Sequence, residues 1–463
     1  MEDTKKLFNK KDCGWNTVTP EEKEEIFRFS NGYMDFLNIA KTEREFIEKS
    51  RQKAEENGFR EISTFEKLNP GDKIYYINRE KSMYLAVIGN EKSEKGINIV
   101  GAHVDSPRLD LKPNPINEDG GFVYLKTHYY GGIKKYQWTT IPLSMHGVIV
   151  KTNGEKITIN IGEKENDPIF TITDLLPHLA QEQMEKKLKE GISGEDLSIL
   201  VGSIPNNKEE IQEKIKLNLL EILNEKYGIT ESDFTSAEIE LVPAFKARSL
   251  GFDRSMVAAY GQDDKVCAYT SLEAMINLQS VEKTAVCILS DKEEIGSMGN
   301  TGMESNIFSY FISEILNKTN ENKPNMIDKV YAFSKMLSAD VDAGFDPLYA
   351  QVSDIPNAGF IGKGISINKY TGARGKSGAS DANAEYLGYI RGILEENNIK
   401  YQVAELGKVD IGGGGTIAYI LANKGIDVLD CGVPLLSMHS PYEVTSKYDI
   451  YSAFRTYKAF WEK

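Results

Sequence analysis

Apolar runs that end in an acid or a histidine recur along this chain, and that punctuation constrains its fold more than any bulk property. The clearest is Thr284-Ala285-Val286-Cys287-Ile288-Leu289, which leads into Asp291-Lys292-Glu293-Glu294-Ile295-Gly296. A β-branched and apolar run of that length reads as a buried strand, and the charge followed by glycine as the loop at its carboxyl end. Ligands of α/β sheets gather at such ends. Adjacent glutamates on irregular backbone point in different directions, so one can bind a metal while the other handles a proton. Taken alone, the same residues would read as a solvated acidic turn.

The other ends repeat the pattern. Met83 to Ile88 and Ile97 to Ala102 read as strands, the second delivering His103-Val104-Asp105. Residues i and i+2 share a face of extended backbone, so Asp105 can fix the tautomer of His103. Gly261-Gln262-Asp263-Asp264 opens a helix, where an acid is ordinarily a cap. Lys335 to Asp340 is a short run ending in an acid, Ile426 to Asp430 reads as a strand, and Pro434 to Pro441 contains His439. Residues 365–381, rich in Gly, Ser and Lys, read as a flexible or substrate-facing loop, followed by a helix over 380–396. Asp410 to Thr416 is a glycine loop leading into a helix, and its Gly413 and Gly414 could present N–H groups to a substrate carbonyl or carboxylate. It lacks the Gly-Lys-Ser/Thr of a phosphate loop.

At 463 residues the chain exceeds one hydrophobic core, so two domains are expected. Its fold class reads as α/β, a mixed sheet with flanking helices over 1–109 and 246–463, interrupted by an inserted β-rich domain over 110–245. Short strand-like segments there (122–127, 147–152, 157–161) precede a helix with Ile211, Ile215, Leu219, Ile222 and Leu223 on one face. Residues 20–57 read as one or two surface helices. A net charge of −14 argues against nucleic acid and anionic membrane as partners. The start, Met1-Glu2-Asp3-Thr4-Lys5-Lys6, is charged where a secretory signal needs an apolar core, and no run approaches the roughly 18 apolar residues of a spanning helix. A cytoplasmic location is expected. The four cysteines lie far apart with no C-x-x-C pair, which suits reduced thiols. Among the five histidines, His128, His146 and His178 read locally as structural.

His103, Asp263, Glu294, Asp340 and His439 thus fall at strand ends or helix starts, with Glu293 as a spare carboxylate. Two imidazoles and three carboxylates suit two zinc-like ions about 3.5–4 Å apart with one carboxylate bridging. Cobalt or manganese would also be accepted by such donors.

The order and text of these segments resemble the M18 aminopeptidases, the aspartyl aminopeptidase and vacuolar aminopeptidase I family. The matching text is Gly101-Ala-His103-Val-Asp105-Ser-Pro107, Pro177-His178-Leu-Ala180, Asp263 at its helix start, Glu293-Glu294-Ile-Gly296-Ser, Ser338-Ala-Asp340 and Met438-His439-Ser. The resemblance implies a two-zinc aminopeptidase acting on peptides, assembled as a homo-oligomer of the tetrahedral dodecamer type. It also implies roles: His103 and Asp340 on one metal, Glu294 and His439 on the other, Asp263 bridging, Glu293 as general base and Asp105 orienting His103. His178 matches a histidine that reaches a neighbouring subunit's active site. Lys369 lies near a lysine that meets acidic substrate side chains, but the chain lacks the histidines that animal relatives carry after the ligand acid, reading Asp340-Val341-Asp342-Ala343 instead. Neutral N-terminal residues are therefore expected to be accepted. Asp264 stands where many relatives have asparagine, which leaves open which acid bridges. The rival readings are a di-metal deacylase of small N-acyl substrates and a catalytically idle assembly or cargo protein of the same fold.

Overall fold

The computed structural model describes Leu7 and residues 12–463; the charged start at 1–6 lies outside the described residues. By its contacts the chain forms two units, one made of 1–105, 247–438 and 443–463, the other of 106–246 and 439–442. The second unit therefore begins four residues before the expected insertion at 110 and also takes in the segment that starts with His439.

The first unit is built on a nine-stranded mixed sheet. Its strands are β1 (Arg60–Glu61), β2 (Lys73–Asn78), β3 (Ser82–Val87), β4 (Asn98–His103), β5 (Ala285–Ser290), β6 (Lys335–Ser338), β7 (Ile365–Asn368), β8 (Tyr401–Ala404) and β9 (Asp427–Gly432), in the spatial order β1-β2-β3-β5-β4-β6-β9-β7-β8. The centre, β5-β4-β6-β9, is parallel. Every residue of β4 and β5 is buried. That is why their sequences are continuous apolar text rather than alternating, since a parallel sheet is covered on both faces. One core, including Val100, Ala102, Leu337 and Leu429, lies on one face, and another, including Ile99, Ile288, Met336 and Val428, on the other.

The helices Pro20–Leu37 and Glu43–Glu56 form where residues 20–57 read as helical. Thr19 with Glu22 and Thr42 with Glu45 make reciprocal capping boxes that satisfy orphan N–H groups at both starts. The helix after the 365–381 segment starts at Ala384 rather than at 380. Nor is that segment all loop, because Ile365–Asn368 is a fully buried strand. Cys267, Cys287 and Cys431 are buried and Cys13 is partly exposed, all as free thiols. Among the described residues, no helix is long and apolar enough to cross a membrane.

The second unit carries a six-stranded sheet with antiparallel pairing, in the order 156–161, 143–150, 237–243, 108–119, 122–130, 199–202. The helix Lys214–Tyr227 departs from the expected apolar face: it begins after Ile211, which is exposed, and it turns Ile222 to solvent. Ile215 is buried, and Leu219 and Leu223 line an apolar cavity with Met145, Ile159 and Phe234.

Candidate metal centre

His103 is the last residue of β4, and its neighbours come from the adjoining strand ends and from the start of the helix Gln262–Ile276. Its side chain is 2% exposed. Nε2 lies 3.3 Å from Asp263 Oδ1, 3.9 Å from Glu293 Oε2 and 3.9 Å from Asp340 Oδ1. Nδ1 lies 3.0 Å from the Asp105 carbonyl and 3.3 Å from Asp105 Oδ1. A proton on Nδ1 satisfies both, which leaves Nε2 to offer its lone pair towards the acids. The tautomer is thus set by the Asp105 backbone as well as by its side chain.

The Asp105 carboxylate does more than was expected of it. Oδ1 accepts the Glu293 N–H at 3.1 Å and Oδ2 accepts the Glu294 N–H at 3.1 Å. Those two residues open a short 3-10 turn after Lys292, whose φ of 69° puts it in the left-handed region. Asp105 therefore fixes the backbone from which both glutamates project. The preceding Asp291 is buried and accepts from the Thr301 hydroxyl at 2.5 Å. Burial, then the nearby charges of Glu43 and Asp105, push its carboxyl up to about 7.

Two side-chain groups are close enough to share an ion, each with ligand atoms within 4.8 Å of one another: His103 with Asp263 and Glu294, and His103 with Asp264 and Asp340. Asp263 and Asp264 occupy the first turn of the helix Gln262–Ile276 but depart from helical backbone, with ψ of 109° at Asp263 and φ of −112° at Asp264. Asp264 is fully buried, and its Oδ2 accepts the His103 N–H at 3.3 Å. Its Oδ1 has no hydrogen-bond partner. An acid at a helix start read most simply as a cap; here neither aspartate is that helix's N-cap, which is Gly261.

The electrostatics say what this cluster suits. Burial raises the Asp264 carboxyl well above its ordinary value, with Asp263 adding repulsion and His103 opposing it. Asp340 is raised too, by burial first and then by Asp264, Glu293 and Asp263. Burial alone would lower His103, but hydrogen bonds to Asp105 and Asp263 outweigh it and hold the imidazole well above its usual range. Acids this close repel one another unless something positive stands among them. The donor set, one imidazole with carboxylates and an orphaned buried carboxylate oxygen, fits a divalent cation of the zinc type.

His439 is in neither group. It belongs by its contacts to the second unit, where Nδ1 lies 2.9 Å from the Gly132 carbonyl. His178 lies exposed in the short turn Pro177–Leu179. Lys369 is an exposed partner of Asp381, 2.9 Å away, and Asp381 also meets Lys376 at 3.0 Å. The glycine loop packs against the 371–373 segment. The Gly414 N–H donates to the Thr371 carbonyl at 3.3 Å. A Cβ on Gly413 would sit 2.4 Å from Ala373 Cα. Gly413 thus packs closely against backbone, whereas a Cβ on Gly414 would meet nothing within 4 Å, and the helix beyond them spans only Ala418–Ala422. His146 is held by Ser144 and Glu163 at 3.0 and 3.2 Å, as befits a structural histidine.

Residues 36–461 match the family model of the aminopeptidase I zinc metalloproteases (M18). The chain belongs to that family. This M18 chain is 51% identical over 450 residues to a probable M18 family aminopeptidase 1 of Clostridium acetobutylicum, covering 96% of this chain and 97% of that one. A protein of the same name from Borrelia garinii subsp. bavariensis is 50% identical over 458 residues, covering 98% and 100%. The crystal structure of an M18 aminopeptidase from Thermotoga maritima superposes with a TM-score of 0.95 at 45% identity, covering 98% of this chain and all of that one. A more distant likeness in fold, 21% identical with a TM-score of 0.75, is to yeast mApe1, solved as a dodecamer. The M18 chain is accordingly a metal-dependent aminopeptidase, a hydrolase, and the deacylase and idle-protein readings are not favoured.

One residue escaped the sequence reading: Glu443, buried at 1% exposure, accepts the Asp263 N–H. It had no motif of its own, and its nearest signal was its place four residues after His439. Asp264, read as an alternative bridging acid, also accepts the N–H of His103.

Proposed function

We propose that this M18 aminopeptidase removes the N-terminal residue of peptides in the cytoplasm with two zinc ions per subunit, working as a homo-oligomer of the dodecameric kind recorded for yeast mApe1. The observation that carries the reading is His103 shared between two acid groups. His103, Asp263, Glu294, Asp340 and His439 would hold the ions, with Asp263 bridging. The Nδ1 contact of His439 with Gly132 supports its part, because a proton there leaves Nε2 as the liganding nitrogen. Cobalt and manganese suit the same donors less selectively.

Bound there, such ions polarise the scissile carbonyl and acidify water. The remaining work falls to side chains. Glu293 takes a proton from the attacking water as a carbon–oxygen bond forms, and hands it to the leaving nitrogen as the carbon–nitrogen bond breaks. Asp105 keeps that carboxylate aimed through the Glu293 N–H. Acidic groups around the centre hold the substrate's free α-ammonium, which restricts cleavage to the first residue. His178 is assigned to a neighbouring subunit's site. Lys369 faces the substrate side chain, with Asp381 offsetting its charge.

The test is Glu293→Gln. It should keep its full zinc content by elemental analysis and lose roughly two to four orders of magnitude in turnover of a leucine anilide. Near-normal turnover with full zinc would remove Glu293 from the role. Parallel assays should show hydrolysis of the anilide and none of N-acetyl-leucine.

A further inference from the structure

The non-helical backbone at Asp263 and Asp264 raises the question of what holds it. In a regular helix the hydrogen-bond ladder and the capping side chain fix the first turn. Here Gly261 has φ of 70°, no side-chain cap is present, and Asp263 and Asp264 both leave helical geometry. The direction of the Asp263 carboxylate is therefore not set by the helix that follows it.

Glu443 supplies the missing hold. It begins the strand Glu443–Ser446, which pairs antiparallel with Met256–Ala259, Ala259 opposite Glu443. Its Oε2 accepts the Asp263 N–H at 3.1 Å, and its carbonyl accepts Gln262 Nε2 at 2.7 Å. Gln262 Nε2 also lies 3.3 Å from the Val257 carbonyl. Glu443 is 1% exposed and Gln262 is fully buried. A carboxylate taken out of water is costly unless donors meet it, so its position against this N–H is geometrically demanding. The arrangement repeats beyond the end of β5, where Asp105 receives the N–H groups of Glu293 and Glu294.

We infer that Glu443 is a positioning residue, which fixes the Asp263 turn so that the Asp263 carboxylate meets metal at the correct angle. The inference rests on the proposed bridging role of Asp263. Loss of a group that orients a metal ligand typically weakens metal binding by about 10–100-fold.

Two variants of the full-length enzyme separate hydrogen bonding from charge. Glu443→Gln keeps an acceptor oxygen and removes the charge. Glu443→Asp keeps the charge and withdraws the acceptor by one carbon–carbon bond, about 1.5 Å. Zinc affinity is measured by chelator competition, zinc content by elemental analysis, and kcat and KM on a leucine anilide at saturating zinc. The Asp variant should bind zinc about 10–100-fold more weakly and lose kcat with little change in KM, and the Gln variant should stay within about threefold of wild type. Wild-type zinc affinity in Glu443→Asp, or equal impairment in both variants, overturns the inference. Should Glu443→Asp fail to fold, Glu443→Gln decides alone, and zinc binding more than tenfold weaker there overturns it. An Asp263→Ala control separates the two levels: full zinc in that control defeats the bridging reading itself, whereas zinc lost there but kept in Glu443→Asp defeats only the role of Glu443.

Discussion

Replacing Asp105 by asparagine tests whether a ligand's neighbour works through backbone rather than through charge alone. The carboxylate receives two N–H groups at 3.1 Å each and lies 3.3 Å from His103 Nδ1. Asparagine keeps one acceptor oxygen and turns an NH2 donor towards the second N–H, so one charge-assisted hydrogen bond is lost. Such bonds contribute about 1.5–3 kcal/mol. At about 1.4 kcal/mol per tenfold, that predicts a fall of roughly 10- to 100-fold in kcat/KM. The Asp105 carbonyl still meets His103 Nδ1 at 3.0 Å, so the tautomer survives and zinc content should stay near wild type. Asp105→Ala loses both bonds and should fall further, though not additively, because the two N–H groups share one turn. The assay is steady-state hydrolysis of leucine p-nitroanilide by zinc-reconstituted protein, with elemental analysis of the same samples. An asparagine variant within threefold of wild-type kcat/KM would refute the reasoning.

If Asp263 bridges two ions as proposed, Asp263→Ala should lower zinc stoichiometry; full zinc there with loss in Asp264→Ala would move the bridge one residue along. Asp381→Asn releases Lys369 and Lys376 from their exposed pairs, so kcat/KM for N-terminal Asp relative to Leu should rise, and Lys369→Ala should lower that same ratio. An unchanged ratio in both variants would make the loop a solvated surface. Mixed oligomers of Glu293→Gln and His178→Ala subunits should regain activity if His178 serves a neighbour's site, and verified mixing without rescue would return it to its own chain.

The strand ends were legible because burial on both faces forces β4 and β5 to be continuous apolar text. A polar or charged side chain at the end of such a strand then stands out, as His103, Glu293, Glu294 and Asp340 do. The glycine loop was only half legible. Gly413 read as a cradle for substrate, and its lack of a side chain also answers to Ala373 packed against it, a contact that only the folded chain creates. The same limit applied to Ile222, apolar at helical spacing but turned to solvent.

By itself the sequence determined the chemistry on offer: which strands are buried, which acids and histidines stand at their ends, and the family whose ordered motifs they compose. Only the tertiary structure decided how those groups are held. Asp105 acts on Glu293 and Glu294 across 188 and 189 positions, and Glu443 on Asp263 across 180, in each case through a backbone N–H. Every residue except proline carries that donor, so a carboxylate that seeks one leaves no mark on its partner's identity, and the pairing comes into being only when the sheet brings the two segments together.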